Sequence, residues 1–348
     1  MRKVYLFAFL VALGVVALLT PVVLAWSRRL HLYDEPDGER KVHVTPTPRT
    51  GGVAIAIGIL APLIGLALYG NDFSEVIQRD QQRLVAFLGG FAAILALGLY
   101  DDVKGVGAWG KLGVQSLVAL VLWQSDLRVD HFSLFDQPFH IGLWSLPLTI
   151  LWVAGFANAM NLIDGLDGLA AGVAVFASVA LFGIAFIDAV PMLQLIAAVT
   201  GGAALGFLLF NFSPALIFMG DSGSMTLGYV FAVAGLWSAS RRASALALVL
   251  PLLALGLPLA DTAIAFARRA LSGKSPFQSD RLHIHHRLVA RGLTHRQAVV
   301  LLYGMCAVLT AGAIVLRATE DIEIGMALIG VVLTVIVGLR WWLTRSTP

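Results

Sequence analysis

Charged residues and cysteine are both scarce in this chain of 348 residues. Only 13% of the residues are Asp, Glu, Lys or Arg, and Cys306 is the single cysteine. One cysteine inside an apolar run excludes both a disulfide framework and a thiolate metal site. The low charge, with 58% hydrophobic residues and a mean hydropathy of +0.84, excludes an ordinary soluble domain and predicts a polytopic membrane protein.

Eleven apolar stretches are long enough to cross a bilayer as helices, which takes about 17 to 25 residues. They lie near 4–26, 52–69, 84–100, 109–125, 143–157, 168–188, 191–210, 225–240, 243–267, 298–316 and 323–343. The sequence shows no repeat of fixed period and no linker between separable domains. We therefore predict an all-α integral membrane protein with one membrane domain, residues 1–348. Arg2 and Lys3 before the first stretch leave a cleaved signal peptide as the alternative, although this stretch exceeds the usual signal core.

The polar clusters of the chain all fall in the connections that follow the first, third, fifth, seventh and ninth spans, which we call the odd-numbered connections. That side of the membrane, with the adjoining span ends and the C-terminal tail, holds sixteen of the 24 Lys and Arg residues, so the positive-inside rule predicts that these connections lie in the cytoplasm. A basic cytoplasmic side is ordinary in a membrane protein and explains the net charge of +3, so the charge does not imply a nucleic-acid partner. On the other side, the alternating segment 131–142 predicts a small β-hairpin.

Two adjacent acids, Asp101 and Asp102, end the apolar run that begins near Leu84. Carboxylates are costly beside lipid, and a helix C-terminus is the wrong end of the helix dipole for them. Neighbouring side chains point to different sides of a backbone, so one acid can bind a cation while the other binds a substrate or a proton. Solvation of a helix end is the alternative, and we favour function.

Amide and acidic side chains recur at every third position in the next odd-numbered connection. The set comprises Asn158, Asn161, Asp164 and Asp167. This spacing can place side chains on one face of a helical turn, and amides with carboxylates can read a nucleobase and a ribose. An Asx-rich turn is the alternative interpretation.

The segment GDSGS at 220–224 begins a predicted span. We therefore expect the amides of Ser222 to Met225 to be free at a helix N-terminus, where anions bind. Asp221 is either a capping residue or, with the acids of the other connections, a hard-oxygen ligand for Mg²⁺ or Mn²⁺.

The last connection, residues 268–297, is rich in arginine and histidine. Its three histidines, His283, His285 and His286, lie among arginines, which suits phosphate oxygens better than zinc. A solvated basic loop explains the arginines but not the histidines. Residues 294–297 (THRQ) predict a capping box for the next span, and we interpret Asp261, inside the preceding span, as a buried hydrogen-bond partner.

Six ordered segments between about residues 27 and 297 resemble the signature segments of the polyprenyl-phosphate N-acetylhexosamine-1-phosphate transferases, and most of all their WecA type. These segments are DEPDGERKVH with PTPRTGG, LGLYDDVKG, NAMNLIDGLDGLA, NFSPALIFMGDSGSMTLG, LPLADT and SPFQSDRLHIHH. PTPRTGG and HIHH depart from the GTPTMGG and HHH segments typical of the muramyl-pentapeptide branch, which argues against that substrate.

The resemblance implies a role for each matching position. Asp101 and Asp102 match the catalytic acidic pair near the lipid phosphate and the metal, and Asp221 matches the metal-binding acid, so all three are candidate metal ligands. The positions that match nucleotide-binding and phosphate-binding residues are Lys41, Asn161, Asp164, Asp167, Arg269, His283, His285 and His286. The implied cofactor is Mg²⁺, with Mn²⁺ as the alternative.

The implied reaction is attack by undecaprenyl phosphate on the β-phosphorus of a UDP-N-acetylhexosamine, by default UDP-N-acetylglucosamine, with release of UMP. The lipid-linked product would begin a surface glycan such as an O-antigen, a common antigen or a wall polymer, on the cytoplasmic face of a bacterial inner membrane. Other donors such as UDP-FucNAc stay open, and a homodimer is expected by analogy only. An ion-coupled transporter is the alternative class, and it predicts polar residues near the middle of the spans.

Overall fold

Helices dominate the computed structural model, which describes residues 2–31, 33–34, 46–68, 73–134, 137–241, 252–253, 255–271 and 284–319, with scattered residues between 321 and 338. In chain order the described helices are α1 (Arg2–Arg29), α2 (Gly51–Leu68), α3 (Ser74–Arg79), α4 (Gln81–Lys104), α5 (Ala108–Gln124), α6 (Ser145–Ile163), α7 (Leu169–Ile187), α8 (Pro191–Asn211), α9 (Gly220–Arg241), α10 (Gly256–Leu271), α11 (Ile284–Ala290) and α12 (His295–Thr319). A 3₁₀ turn, Gly142–Trp144, precedes α6.

Seven of these helices are long and apolar enough to cross a membrane, namely α1, α2, α4, α6, α7, α8 and α12. They confirm the predicted class of all-α integral membrane protein. The predicted spans from 4–26 to 225–240, and the span 298–316, each correspond to a helix. Only part of 243–267 is described, as α10, and most of 323–343 lies outside the described residues, so the total of eleven stays a prediction.

Most helix ends lie within four residues of the predicted ones, and α4 continues to Lys104, so Asp101 and Asp102 lie in its last turn. Two ends differ by five or six residues, and tertiary contacts explain both. Helix α6 continues to Ile163 instead of ending at 157, because the side chain of Asn158 donates to Gln115 Oε1 of α5 at 2.9 Å and so finds a partner inside the bundle. Helix α9 begins at Gly220 instead of 225, because a carboxylate from α4 accepts hydrogen bonds from its first amides. The short helix α3 was not predicted.

Helix α9 lies at the centre of the bundle and is buried along nearly its whole length. It packs against α2, α4 and α6, while α1 and α7 pack against α8, and α12 packs against α7. Tyr229 and Trp237 of α9 are among the largest fully buried side chains of the core. The helix that carries Asp221 is therefore held on several sides.

Two small antiparallel ribbons complete the fold. Strands β3 (His131–Leu134) and β4 (Gln137–His140) pair in the register His131 to His140, which confirms the hairpin predicted at 131–142. Strands β1 (Tyr33–Asp34) and β2 (Thr47–Pro48) pair at the base of the first long connection and bring β2 towards the start of α2.

Candidate active site

A lysine joins two acids from different helices at one end of the bundle. The ammonium of Lys111, in the first turns of α5, lies 2.5 Å from Asp101 Oδ2 of α4 and 2.5 Å from Asp221 Oδ2 of α9. The other oxygen of Asp101 accepts a hydrogen bond from the Val106 amide in the α4–α5 turn at 2.5 Å. Segments 110 or more residues apart in the sequence therefore meet at one cation.

Asp102 has a different environment from its neighbour. Its Oδ1 accepts a hydrogen bond from the amide of Asp221 at 2.7 Å, and its Oδ2 accepts one from the amide of Ser222 at 3.1 Å. A carboxylate at this position accepts hydrogen bonds from amides that have no partner within the helix, and the positive end of the helix dipole stabilises its charge. The two neighbouring acids therefore have different partners: Asp101 contacts Lys111, and Asp102 holds the first amides of α9.

The expectation of free amides at the start of α9 is wrong for its first residues. The amide of Ser222 bonds Asp102, and the amide of Gly223 donates to the Met219 carbonyl at 3.2 Å. The anion at this helix terminus is therefore a side chain of the protein itself. Asp102 anchors α9 to the end of α4 and so sets the position of Asp221.

Small residues allow the helices to meet closely at this point. A methyl group at Gly98 of α4 would overlap the backbone of Ser222, and one at Gly52 of α2 would overlap the backbone of Gly223. Gly220 itself has a φ of +68°, which favours glycine, and a methyl group there would overlap the Arg49 carbonyl and the carboxylate of Asp102. Side chains at these positions would push α9 away from α2 and α4.

The first connection contributes backbone to the same region. The amide of Phe218 donates to the Pro48 carbonyl at 2.8 Å, and the amides of Gly51 and Gly52 donate to the carbonyls of Phe218 and Met219 at 3.0 and 2.9 Å. The PTPRTGG segment thus lies beside the segment that leads into Asp221. It also brings Arg49 close enough to interact electrostatically with Asp164.

Asp164 and Asn161, at the end of α6, approach the acids from another side. Burial raises the pKa of Asp164 well above its ordinary value, and the carboxylates of Asp221 and Asp102 act in the same direction. The buried amide nitrogen of Asn161 lies beside the carboxylate of Asp221 and interacts with it, and it makes no other hydrogen bond among the described residues. Because this nitrogen carries two N–H groups, one of them is available to a ligand.

The other two members of the amide and acid series make structural contacts. Asn158 bonds Gln115 and the Ala154 carbonyl within the bundle. Asp167 Oδ2 accepts a hydrogen bond from the amide of Ala215 at 3.0 Å, in the connection between α8 and α9. Asn158 and Asp167 thus each have a partner within the protein, and the nucleotide-binding role of Asp167 stays a prediction.

The remaining predicted positions are described only in part. Arg269 lies near the end of α10, with its Nε buried, and α10 packs against α6 and α12. Lys41 and His283 lie outside the described residues, and so do the side chains of His285 and His286, whose backbone belongs to α11.

Two structural predictions in the last connection are confirmed. Asp261 is buried, and its Oδ1 accepts a hydrogen bond from the amide of Ile284, the first residue of α11. The amide of Thr294 donates to Gln297 Oε1 and the amide of Gln297 donates to Thr294 Oγ1, which is the predicted capping box of α12.

Sequence patterns did not predict Lys111 as a site residue, since a lysine near the end of a membrane span also fits the positive-inside rule. A cation in the first turns of a helix opposes the helix dipole, so its position at the start of an apolar helix was the available signal. The structure supplies the reason for this position, since two carboxylates neutralise it.

The acids of this cluster suit a hard divalent cation. Among the described residues, no three Asp, Glu, His or Cys side chains converge as a finished metal cage. However, Asp101, Asp164 and Asp221 offer carboxylate oxygens, the ligands that Mg²⁺ prefers, and Lys111 and Arg49 partly oppose their charge. The chemistry of the donor set therefore fits Mg²⁺.

These features define a multi-pass membrane protein whose acidic site lies at one end of the helix bundle. The family model described as glycosyl transferase family 4 matches residues 84–239, from the start of α4 to the end of α9. The chain belongs to this family and is an integral membrane transferase, which confirms the resemblance to the WecA type drawn from the six segments.

Relatives match over most of the chain. It is similar to a probable undecaprenyl-phosphate N-acetylglucosaminyl 1-phosphate transferase of Bacillus subtilis, 36% identical over 89% of this chain and 84% of the relative. It is also similar to an undecaprenyl-phosphate alpha-N-acetylglucosaminyl 1-phosphate transferase of Thermotoga maritima, 31% identical over 77% and 76%. A phospho-N-acetylmuramoyl-pentapeptide-transferase of Heliobacterium modesticaldum is 33% identical over 81% and 88%.

Proposed function

We propose that the protein transfers N-acetylglucosamine 1-phosphate from UDP-N-acetylglucosamine to undecaprenyl phosphate and releases UMP. The observation that carries this proposal is the joining of Asp101, Lys111 and Asp221 at the end of apolar helices, in a chain related to transferases named for this reaction. Two anionic substrates must approach one another, so charge neutralisation and in-line positioning are the main demands on the site.

The proposed step is a direct displacement at phosphorus. An oxygen of the lipid phosphate forms a bond to the β-phosphorus of the donor, the bond from that phosphorus to the oxygen shared with the α-phosphate breaks, and UMP leaves with that oxygen. The second pKa of a phosphate monoester is about 6, so the acceptor is largely dianionic near neutrality and needs no strong base. Asp101 and Asp102 are then needed for positioning more than for proton removal.

The surroundings of each acid suggest its part in this step. Asp221 and Asp101, with Asp164 beside them, would hold Mg²⁺, which when bound neutralises phosphate charge. Asp102 would keep α9, and with it Asp221, in place through the two backbone amides. Asn161 would donate its buried amide to the nucleotide, and Lys111 would balance the charge of the two acids it contacts.

The membrane orientation belongs to the same proposal. The positive-inside rule places the acidic end of the bundle in the cytoplasm, where nucleotide sugars are made, and the product would begin a lipid-linked surface glycan at the inner membrane. The acids lie at helix ends on one side, whereas an ion-coupled transporter would place them near the middle of the spans.

The test is UMP release by the purified protein in nanodiscs containing undecaprenyl phosphate. We expect UDP-N-acetylglucosamine with Mg²⁺ to yield UMP and lipid-linked sugar in equal amounts, EDTA to stop the reaction and added Mg²⁺ to restore it. Asp221→Asn serves as the inactive control. Parallel reactions with UDP-FucNAc and with the UDP-muramoyl-pentapeptide test the other donors. Absence of UMP with every donor, at Mg²⁺ or Mn²⁺, would contradict the proposal.

A further inference from the structure

Four polar side chains recur at seven-residue intervals along α12, and each bonds a different partner. The first two donate to backbone carbonyls outside α7: Arg296 Nε to that of Ser213 at 2.7 Å, and the Tyr303 hydroxyl to that of Gly168 at 2.6 Å. The Thr310 hydroxyl donates to the Phe176 carbonyl at 3.1 Å, and Arg317 Nε donates to Asp188 Oδ1 at 2.5 Å. Gly168, Phe176 and Asp188 lie just before, within and just after α7. Since positions seven residues apart lie on one side of a helix, the row sets the register of α12 along α7.

Tyr303 is the member of this row that reaches the turn after α6. The Gly168 carbonyl accepts one hydrogen bond from the amide of Gly172 within α7 and a second from the Tyr303 hydroxyl. The amide of Gly168 donates to Asn211 Oδ1 at 3.1 Å. Both peptide groups next to Gly168 are therefore held from outside the turn, one by α8 and one by α12.

The sequence makes room for this contact. A methyl group at Gly172 would overlap the ring of Tyr303, so the absence of a side chain there lets the ring reach the turn. The ring also packs against Phe176, with the ring centroids 5.7 Å apart. Ring packing and the hydroxyl bond are thus separate contacts, and a substitution by phenylalanine removes only the second.

We infer that Tyr303 is a positioning residue for the nucleotide: by holding the Gly168 carbonyl, it keeps the turn at 164–168 in place so that Asp164 and Asn161 face Asp221. This inference rests on the proposed function. Tyr303 lies in a different part of the chain from the acids and touches none of them in the described contacts. Its effect passes through the backbone of the turn.

Thr310 provides a matched control on the same helix. Its hydroxyl donates to the Phe176 carbonyl inside α7, whereas Tyr303 donates to the residue just before α7, about two turns closer to the site. Tyr303→Phe and Thr310→Val each remove one hydroxyl and keep the volume of the side chain. A general loosening of α12 against α7 would affect both variants alike.

The experiment compares these two variants with the wild type by steady-state kinetics and by hydrogen exchange with mass spectrometry. For Tyr303→Phe we expect the KM for the UDP-sugar to rise roughly three- to tenfold, the factor expected for one lost hydrogen bond, with kcat changed less than about twofold. Amides of residues 164–172 should exchange faster. Thr310→Val should leave both the KM and the exchange of this segment at wild-type values.

Two results would overturn the inference. One is a Tyr303→Phe variant with the wild-type KM and wild-type exchange at 164–172. The other is an equal rise of KM in Thr310→Val, which would assign the effect to helix packing in general. A wild-type protein without turnover would contradict the proposed function, while the exchange comparison would still decide whether Tyr303 holds the turn.

Discussion

Replacing Asp102 by Asn tests whether this acid anchors α9. The carboxylate accepts two backbone hydrogen bonds, at 2.7 and 3.1 Å, from the first amides of the helix. Asn keeps one acceptor oxygen, so the loss is about one charge-assisted hydrogen bond, roughly 1.5–3 kcal/mol, plus about 0.3–1 kcal/mol of interaction with the helix dipole. We therefore expect Asp102→Asn to lower the free energy of unfolding by about 2–4 kcal/mol, besides abolishing turnover.

The assay is thermal unfolding of the purified protein in detergent without divalent cations, alongside UMP release. Asp101→Asn is the comparison, because it weakens the contacts with Lys111 and the Val106 amide but leaves the start of α9 capped. We expect both variants to lose turnover. A wild-type unfolding midpoint for Asp102→Asn would refute the anchoring role.

Two further substitutions test the surroundings of Asp221. Lys111→Gln should reduce kcat by about 100-fold or more, because it removes one preorganised charge at the site. Lys104→Gln, at an exposed position, should leave kcat unchanged. Equal rates for the two variants in the UMP assay would contradict a catalytic contribution of Lys111. Gly98→Ala should cost about 1–3 kcal/mol of stability and displace Asp221, because its methyl group meets the backbone of Ser222, whereas Gly89→Ala on the same helix meets open space. Unfolding midpoints that do not separate the two alanine variants would exclude the close approach of α4 and α9.

Local sequence patterns were sufficient for much of the fold. Transmembrane helices depend on hydrophobicity over a window of neighbouring residues, so the spans from 4–26 to 225–240 could be placed before any contact was known. The capping box at 294–297 and the hairpin at 131–142 also depend on residues close in sequence. The buried hydrogen bond of Asp261 followed from the cost of an unpaired polar group in an apolar span, although its partner, the Ile284 amide, did not.

The candidate site required the tertiary structure, because its contacts join segments far apart in the chain. Sequence determined that this is a membrane protein, that its acids lie at helix ends on one side, and that Asp101, Asp102 and Asp221 belong together. Only the structure distinguished the acid paired with Lys111 from the one that holds α9. It also showed that Asp167 accepts a hydrogen bond from the amide of Ala215, because hydrogen-bond partners depend on packing and not on spacing along the chain.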